Sequence, residues 1–306
     1  MVHLAECAQD ELADWIDRIS PSELLASAGM TPTFEQKLRG LKTTGRGSWA
    51  LALRPDFQFD AGLGQRKLLE QLQAASLAAW SADALADAHA AAAALLTYAE
   101  HTQGRSLPHG QRVQVQRSDA LIDRPASTRR NLELKQTLRG ESASDSPTLF
   151  ALLDTCMTGM GSRLLKSWLL SPPRDRQVAQ QRLQAQAVLR GESGAGAWSS
   201  LREQLKGASD VERITARTAL RQVRPRELVA LRHALARAAS LSLQLQALQP
   251  EPGTLLAGMA RWLTPPTHCA ELLQMALLEE PATLVRDGGV IADGLDAALD
   301  ELRGIH

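Results

Sequence analysis

Two leucine-bearing runs, separated by a glycine-containing loop and closed by a double proline, constrain this chain more than any other stretch. Leu149, Leu152 and Leu153, then Leu164, Leu165, Trp168 and Leu169, recur at i, i+3, i+4 spacing, the period of a helix with one apolar stripe. Ser146-Pro147 suits the first helix start, because a first-turn proline gives up an N–H that has no partner there. Thr158 or Gly161 opens the second helix, and Pro172-Pro173 stops it by removing donors and crowding the preceding turn. The expectation is two short amphipathic helices joined by a tight loop, each burying one face. Trp168 and the leucines around it are read as core, not as a cofactor pocket.

Composition points the same way. Ala and Leu dominate and aromatics make up only 4% of the 306 residues, which favours helix over sheet. The length, with 44% hydrophobic residues, suits one large or two modest soluble domains. Cys7, Cys156 and Cys269 lie far apart with no Cys-x-x-Cys, so reduced, buried thiols are expected and no metal site. The start of the chain carries Glu6, Asp10, Glu11, Asp14 and Asp17, where a secretory leader would be basic and then apolar. The longest apolar stretch, Ala90–Leu96, is seven residues and cannot cross a bilayer. A soluble, cytoplasmic protein without a membrane partner is expected.

Along the chain, Asp10–Ile19 reads as a helix with Leu12, Trp15 and Ile19 on one face, ended by Pro21. Leu24–Ala28 is a short apolar run that fits helix or strand. Gly47–Leu53 alternates as a strand and turns out through Arg54-Pro55-Asp56. Leu63–Trp80 and Ser81–Thr102 read as Ala/Leu-rich helices. Residues 104–123 form a candidate linker, with Pro108, Gly110 and a weak alternation through Val113 and Val115. From residue 124 the pattern is helical. Asp175 can cap a helix ending near Gly191, Ser209-Asp210-Val211-Glu212 forms a capping box, and Pro225 starts a helix running to about Leu245. Asp287-Gly288-Gly289 is a tight reversal between Leu284–Arg286 and Val290-Ile291, requiring positive φ and hence glycine. Asp293–Arg303 begins a further helix.

Net charge is zero, yet residues 111–240 hold 22 Lys+Arg against 12 Asp+Glu, and residues 270–303 hold 8 acids against 2 bases. A basic middle suits a polyanion on one face, while solvated helix faces explain the same charges more simply. No lysine follows a glycine, so the phosphate-cradling loop of an NTPase is missing. No His-Glu-x-x-His and no Gly-x-Ser-x-Gly occurs. No catalytic residue, metal or bound cofactor is expected in this chain.

Several ordered runs carry a family resemblance. They are Ser127-Thr128-Arg129-Arg130-Asn131-Leu132-Glu133-Leu134, Leu152-Leu153-Asp154, Gly159-Met160-Gly161 with Arg163-Leu164-Leu165, and Trp168-Leu169 ahead of Pro172 and Arg174-Asp175. Asp210-Val211-Glu212-Arg213-Ile214 with Ala216-Arg217, Arg224-Pro225-Arg226-Glu227-Leu228 and Arg286-Asp287-Gly288-Gly289-Val290-Ile291 follow in order. Together they resemble the core (lever) domain of the MutS family of DNA mismatch-repair proteins. The departures are Gly159, where the family has Pro, and Pro125, where it has Asp.

The resemblance implies a mainly α fold: residues 124–306 as the first half of a helical core domain, preceded by an incomplete α/β, RNase-H-like connector over residues 1–103. The connector's opening strands would precede Met1 and the last helix would continue as a lever, so both ends are expected to be cuts in a longer protein. The implied parent is a mismatch-recognising, sliding-clamp ATPase homodimer that uses ATP and Mg and recruits MutL. This chain would supply the segment coupling mismatched-DNA binding to an ATPase domain outside these residues, with no enzymatic activity of its own. Weak, non-specific double-stranded DNA and a MutL-like protein docking on the connector are the expected partners. The family's mispair-reading Phe-x-Glu is not found; Phe34 is followed directly by Glu35.

By the same resemblance Thr128, Arg129, Arg130, Asn131, Glu133, Gly161, Arg163, Trp168, Asp210, Glu212, Arg213, Arg226, Asp287, Gly288 and Gly289 are structural or interdomain positions. Arg129 and Arg130 could grip phosphate or brace the connector against the core, and bracing is the favoured reading. Arg163 and Lys166 are expected on a solvated helix face, and Asp210 and Arg213 as an intrahelical pair. The alternative is a helical interaction scaffold without a repair role.

Overall fold

The computed structural model describes residues 2–43, 49–103, 113–122, 124–135, 137–138, 147–191, 194 and 196–304. Among the described residues helix predominates and strands are few, so the protein is mainly α with a small α/β part at its start. The chain divides into two compact units, residues 1–154 with 164–175, and residues 155–163 with 176–306.

The first unit contains β1 (Val2–Leu4), α1 (Leu12–Ile19), β2 (Glu23–Ser27), α2 (Pro32–Thr43), β3 (Ala50–Arg54), α3 (Ala61–Leu72), α4 (Ala86–Gln103), β4 (Val113–Val115), α5 (Ala126–Asn131) and α6 (Leu149–Leu153). The apolar run after Pro21 is therefore a strand. β2 and β3 pair in parallel, Glu23 opposite Ala50 and Ser27 opposite Arg54, and the crossover that a parallel pair needs is supplied by α2. The alternation at Val113 and Val115, placed in a linker by the sequence, is a strand: β4 lies parallel to β1 with Val2 opposite Val113. Residues 104–112, and Gly47 and Ser48 of the expected strand before Arg54, lie outside the described residues.

Alanine sets the close packing of α3 on α4. Ala88, Ala92 and Leu96 meet Leu68, Leu77, Leu4 and Val113 in one buried cluster. At the crossing, a Cβ on Gly64 would stand 1.8 Å from the His89 carbonyl oxygen, so only glycine lets the backbones approach this far. The expected helix to Trp80 stops at Leu72, because Gln73 takes a left-handed conformation at φ 52. A second cluster joins Ile16, Leu38 and Trp49. Ile16, not Ile19, completes the buried face of α1. Ile19 is 62% exposed, since Ser20 turns the chain away at φ 50. The Tyr98 hydroxyl donates to Glu23 at 2.7 Å, and the Arg54 guanidinium lies 5.3 Å from the same ring, tying α4 to both β2 and β3.

α7 (Gly159–Leu170) contributes its first five residues to the second unit and the rest to the first. The second unit continues through α8 (Arg176–Arg190), α9 (Trp198–Leu205), α10 (Val211–Ala219), α11 (Pro225–Ala247), α12 (Leu255–Trp262), α13 (Thr267–Ala276) and α14 (Ala297–Arg303). α11 is its axis. Leu241 and Leu245 pack with Leu256 and Ala260 of α12, Leu201 of α9 and Ala185 of α8. Further toward its N-terminus Val229 meets Leu277 and Val290.

Several local expectations need correction. Thr148 caps α6 by accepting from the Ala151 N–H at 3.1 Å; Pro147 precedes the cap, and Ser146 lies outside the described residues. Asp210, not Ser209, caps α10, its side chain accepting from the Arg213 N–H at 3.2 Å. The glycine reversal exists, with Gly288 at φ 72 and Gly289 at φ 60. Yet Ile291 bridges to Leu277, not back to residues 284–286, and Val285–Asp287 form a helical turn instead. Cys7 and Cys156 are exposed and Cys269 is half-buried. The leucine stripe is not a core: Leu152 is 75% exposed and Leu164 51%, and only Leu170 of α7 is buried. Periodicity defines such a stripe without saying what covers it, and a helix of five residues offers its own unit little surface to cover.

Candidate functional site: two arginine-centred clusters

The first cluster grows from the run at Ser127. Pro125 precedes α5, and the helix directs Arg129 inward until only 3% of it is exposed. A buried guanidinium must satisfy its N–H groups and its charge together. Arg129 Nε donates to Asp17 Oδ2 at 3.1 Å, and Nη2 donates to Asp14 Oδ1 and to the Asp14 carbonyl, both at 3.2 Å. Nη1 donates to the Arg124 carbonyl. Lys135 joins the same carboxylate, its Nζ 3.4 Å from Asp17 Oδ1 and donating to the Asp17 carbonyl at 2.8 Å.

Arg124 donates to the Leu169 carbonyl at 2.5 Å. Burial, and then the charges of Arg129 and Arg18, push its guanidinium below its ordinary range. Burial likewise lowers the Lys135 ammonium, against the opposing pull of Asp17. Glu133 is left-handed at φ 46. Its side chain accepts from the Leu138 N–H at 2.7 Å, and its carbonyl from the Leu149 N–H at 3.1 Å. Arg124 and residues 128–135 are thereby fastened to α1, α6 and the end of α7.

The second cluster lies in the other unit. Arg163, read as a solvated residue, forms a fork on Asp210, Nη1 to Oδ2 at 2.8 Å and Nη2 to Oδ1 at 2.9 Å, and also reaches Glu212 at 2.6 Å. Its partners are 47 and 49 residues away, which local spacing could not show. These bonds raise Arg163 above its ordinary value, the Asp210 bond foremost. Arg163 in turn holds the Asp210 carboxyl below its usual 3.8. Arg213 pairs with Asp210 at 3.3 Å, as its spacing suggested. The Gly161 N–H donates to Thr158 Oγ1 at 3.0 Å, so Thr158 caps α7.

The remaining sequence-selected residues stay apart from both clusters. Thr128, Arg130 and Asn131 are exposed on α5, and Trp168 is half-buried. Arg226 donates to the Pro281 carbonyl at 3.4 Å. Asp287 sits 3.8 Å from its neighbour Arg286. One residue was missed. Arg232 is 5% exposed and donates to the Leu277 carbonyl at 3.0 Å and to Glu279 at 2.6 Å. Its signal was an arginine three positions beyond Val229, on the buried stripe of α11. Among the described residues, no three His, Cys, Asp or Glu side chains converge to hold a metal, and no helix is long and apolar enough to cross a membrane.

A buried arginine thus fastens a small α/β module to the first helices of a helical stretch. Residues 1–111 match the family model of MutS domain II, and residues 127–304 match MutS domain III. The chain belongs to the MutS family and is a MutS-like mismatch-recognition segment carrying its connector and core domains.

Proposed function

We propose that this chain works as a coupling segment: it carries conformational change between a mismatched-DNA site and an ATPase site that both lie outside these residues. The observation that supports this is the Arg129 lock. Asp14 and Asp17 lie in the domain II match and Arg129 in the domain III match, and they meet where the Arg129 guanidinium is buried and each of its nitrogens donates a hydrogen bond. Such a contact resists sliding, because displacing one partner strands a charge away from water. Movement of one domain then pulls the other. The connector docks a MutL-like protein, the duplex is held through its phosphates, and pairing into a homodimer belongs to the assembled parent.

In this reading the segment neither turns over ATP nor distinguishes mispairs by itself. Purified protein is expected to retain purified MutL in a pull-down and to show nucleotide turnover no higher than a buffer blank. Turnover above that blank, sensitive to Mg removal, contradicts the division of labour.

A further inference from the structure

We propose that the corner between α10 and α11 is a phosphate-contacting surface that holds the backbone of duplex DNA without reading its bases. The inference rests on the duplex being a partner, as argued above, and goes on to name the surface.

Residues 213–226 contain five arginines, Arg213, Arg217, Arg221, Arg224 and Arg226, and no acid. The fold gathers them at one corner. Arg217 Nη2 donates to the Gln222 carbonyl at 2.9 Å, and its Nε lies 3.1 Å from Glu227, so the end of α10 and the start of α11 are held together. Arg221 occupies the turn in a left-handed conformation at φ 50 with its side chain exposed.

The acids of α10 and the start of α11 are already engaged. Asp210 is held by Arg163 and Arg213, Glu212 by Arg163, and Glu227 by Arg217. With Arg163 counted, six guanidiniums stand against Asp210, Glu212 and Glu227, and against Glu280 beside the Pro281 carbonyl that Arg226 bonds, a surplus of two positive charges. Among the described residues Arg221 and Arg224 form no ion pair, and both are exposed.

The arrangement selects the occupant. Arg213 and Arg217 stand about 6 Å apart along the helix, and the turn continues the row, which suits successive phosphates better than one small anion. The N-terminus of α11 adds little, since Glu227 already accepts from the Arg224 N–H at 2.7 Å. No aromatic residue lies between Asp210 and Leu228, so nothing offers a stacking platform for bases. What remains is attraction to the phosphate backbone, which positions without specifying.

The test is fluorescence anisotropy of a labelled, fully paired duplex with the whole chain over a salt series. Arg221→Gln/Arg224→Gln is compared with Lys42→Gln/Arg66→Gln, which removes two exposed charges from the first unit, and circular dichroism melts check folding. The first variant should lower the slope of log K against log salt by about 1.8, roughly 0.9 for each phosphate no longer neutralised. It should bind at least tenfold more weakly in ~0.1 M salt, while the control stays within twofold of the parent. Equal binding by the corner variant and the parent overturns the surface and leaves the duplex as partner. No salt-dependent duplex binding by the parent chain overturns both the surface and that part of the proposed function.

Discussion

Arg129 is buried to 3% exposure yet meets Asp14 and Asp17 through separate nitrogens. The sequence marked it within its motif but not its partners, which lie 112 and 115 residues away and looked like ordinary surface acids. Arg129→Gln should destabilise the first unit by about 3 kcal/mol, because the buried guanidinium that joins Asp14, Asp17 and the Arg124 carbonyl is lost, although Lys135 stays on Asp17. Arg129→Lys should recover only part, since an ammonium lacks the fork. Urea denaturation followed by circular dichroism measures both, and an unchanged midpoint for Arg129→Gln contradicts the lock. Asp210 gives a pH signature. Its folded carboxyl is held below the usual 3.8, chiefly by Arg163, so the pair's stabilisation is complete above that value and fades as pH falls through the lowered one. Asp210→Asn keeps a cap acceptor and removes the charge. It should melt lower than the parent at pH 7, with the gap closing toward pH 3; a gap that stays constant contradicts the pairing.

Helices were the most legible elements, because period and caps are local. α10 and α11 begin within one residue of where the Ser209 capping box and Pro225 placed them, and choosing Ser209 over Asp210 was an error between two adjacent cap-forming residues. Strands were less legible. β2 has five residues and β4 three, too few for alternation to separate them from helix or linker, and parallel partners lie beyond a crossover that spacing cannot bridge. The α3–α4 crossing was invisible, since an Ala-rich helix shows no clear stripe. Its tolerance can be measured. Gly64→Ala drives a methyl into the His89 carbonyl and should cost about 1–3 kcal/mol or more. Gly40→Ala in α2 meets nothing within 4 Å and should stabilise by about 0.5–1 kcal/mol. Thermal melts of the two variants that shift in the same direction would contradict this packing.

Across the whole molecule, the ordered motifs carried the family, and the matches over residues 1–111 and 127–304 establish it. The division into two units was not legible, because the leucine period runs through α7 without a break while the division falls between Arg163 and Leu164. Nor did charge counts show which arginines are paired. That depends on contacts such as Arg163 with Asp210 across 47 residues, and only once those are known does the α10–α11 corner stand out. The central claim is that this segment couples sites it does not contain. Its most direct test is binding of the purified chain to a labelled duplex with and without one G·T mispair, across a salt series. The account predicts weak binding, steep in salt and equal for the two duplexes, as expected of phosphate contact without base reading. Clear preference for the mispaired duplex would contradict it and place a reading surface within these residues.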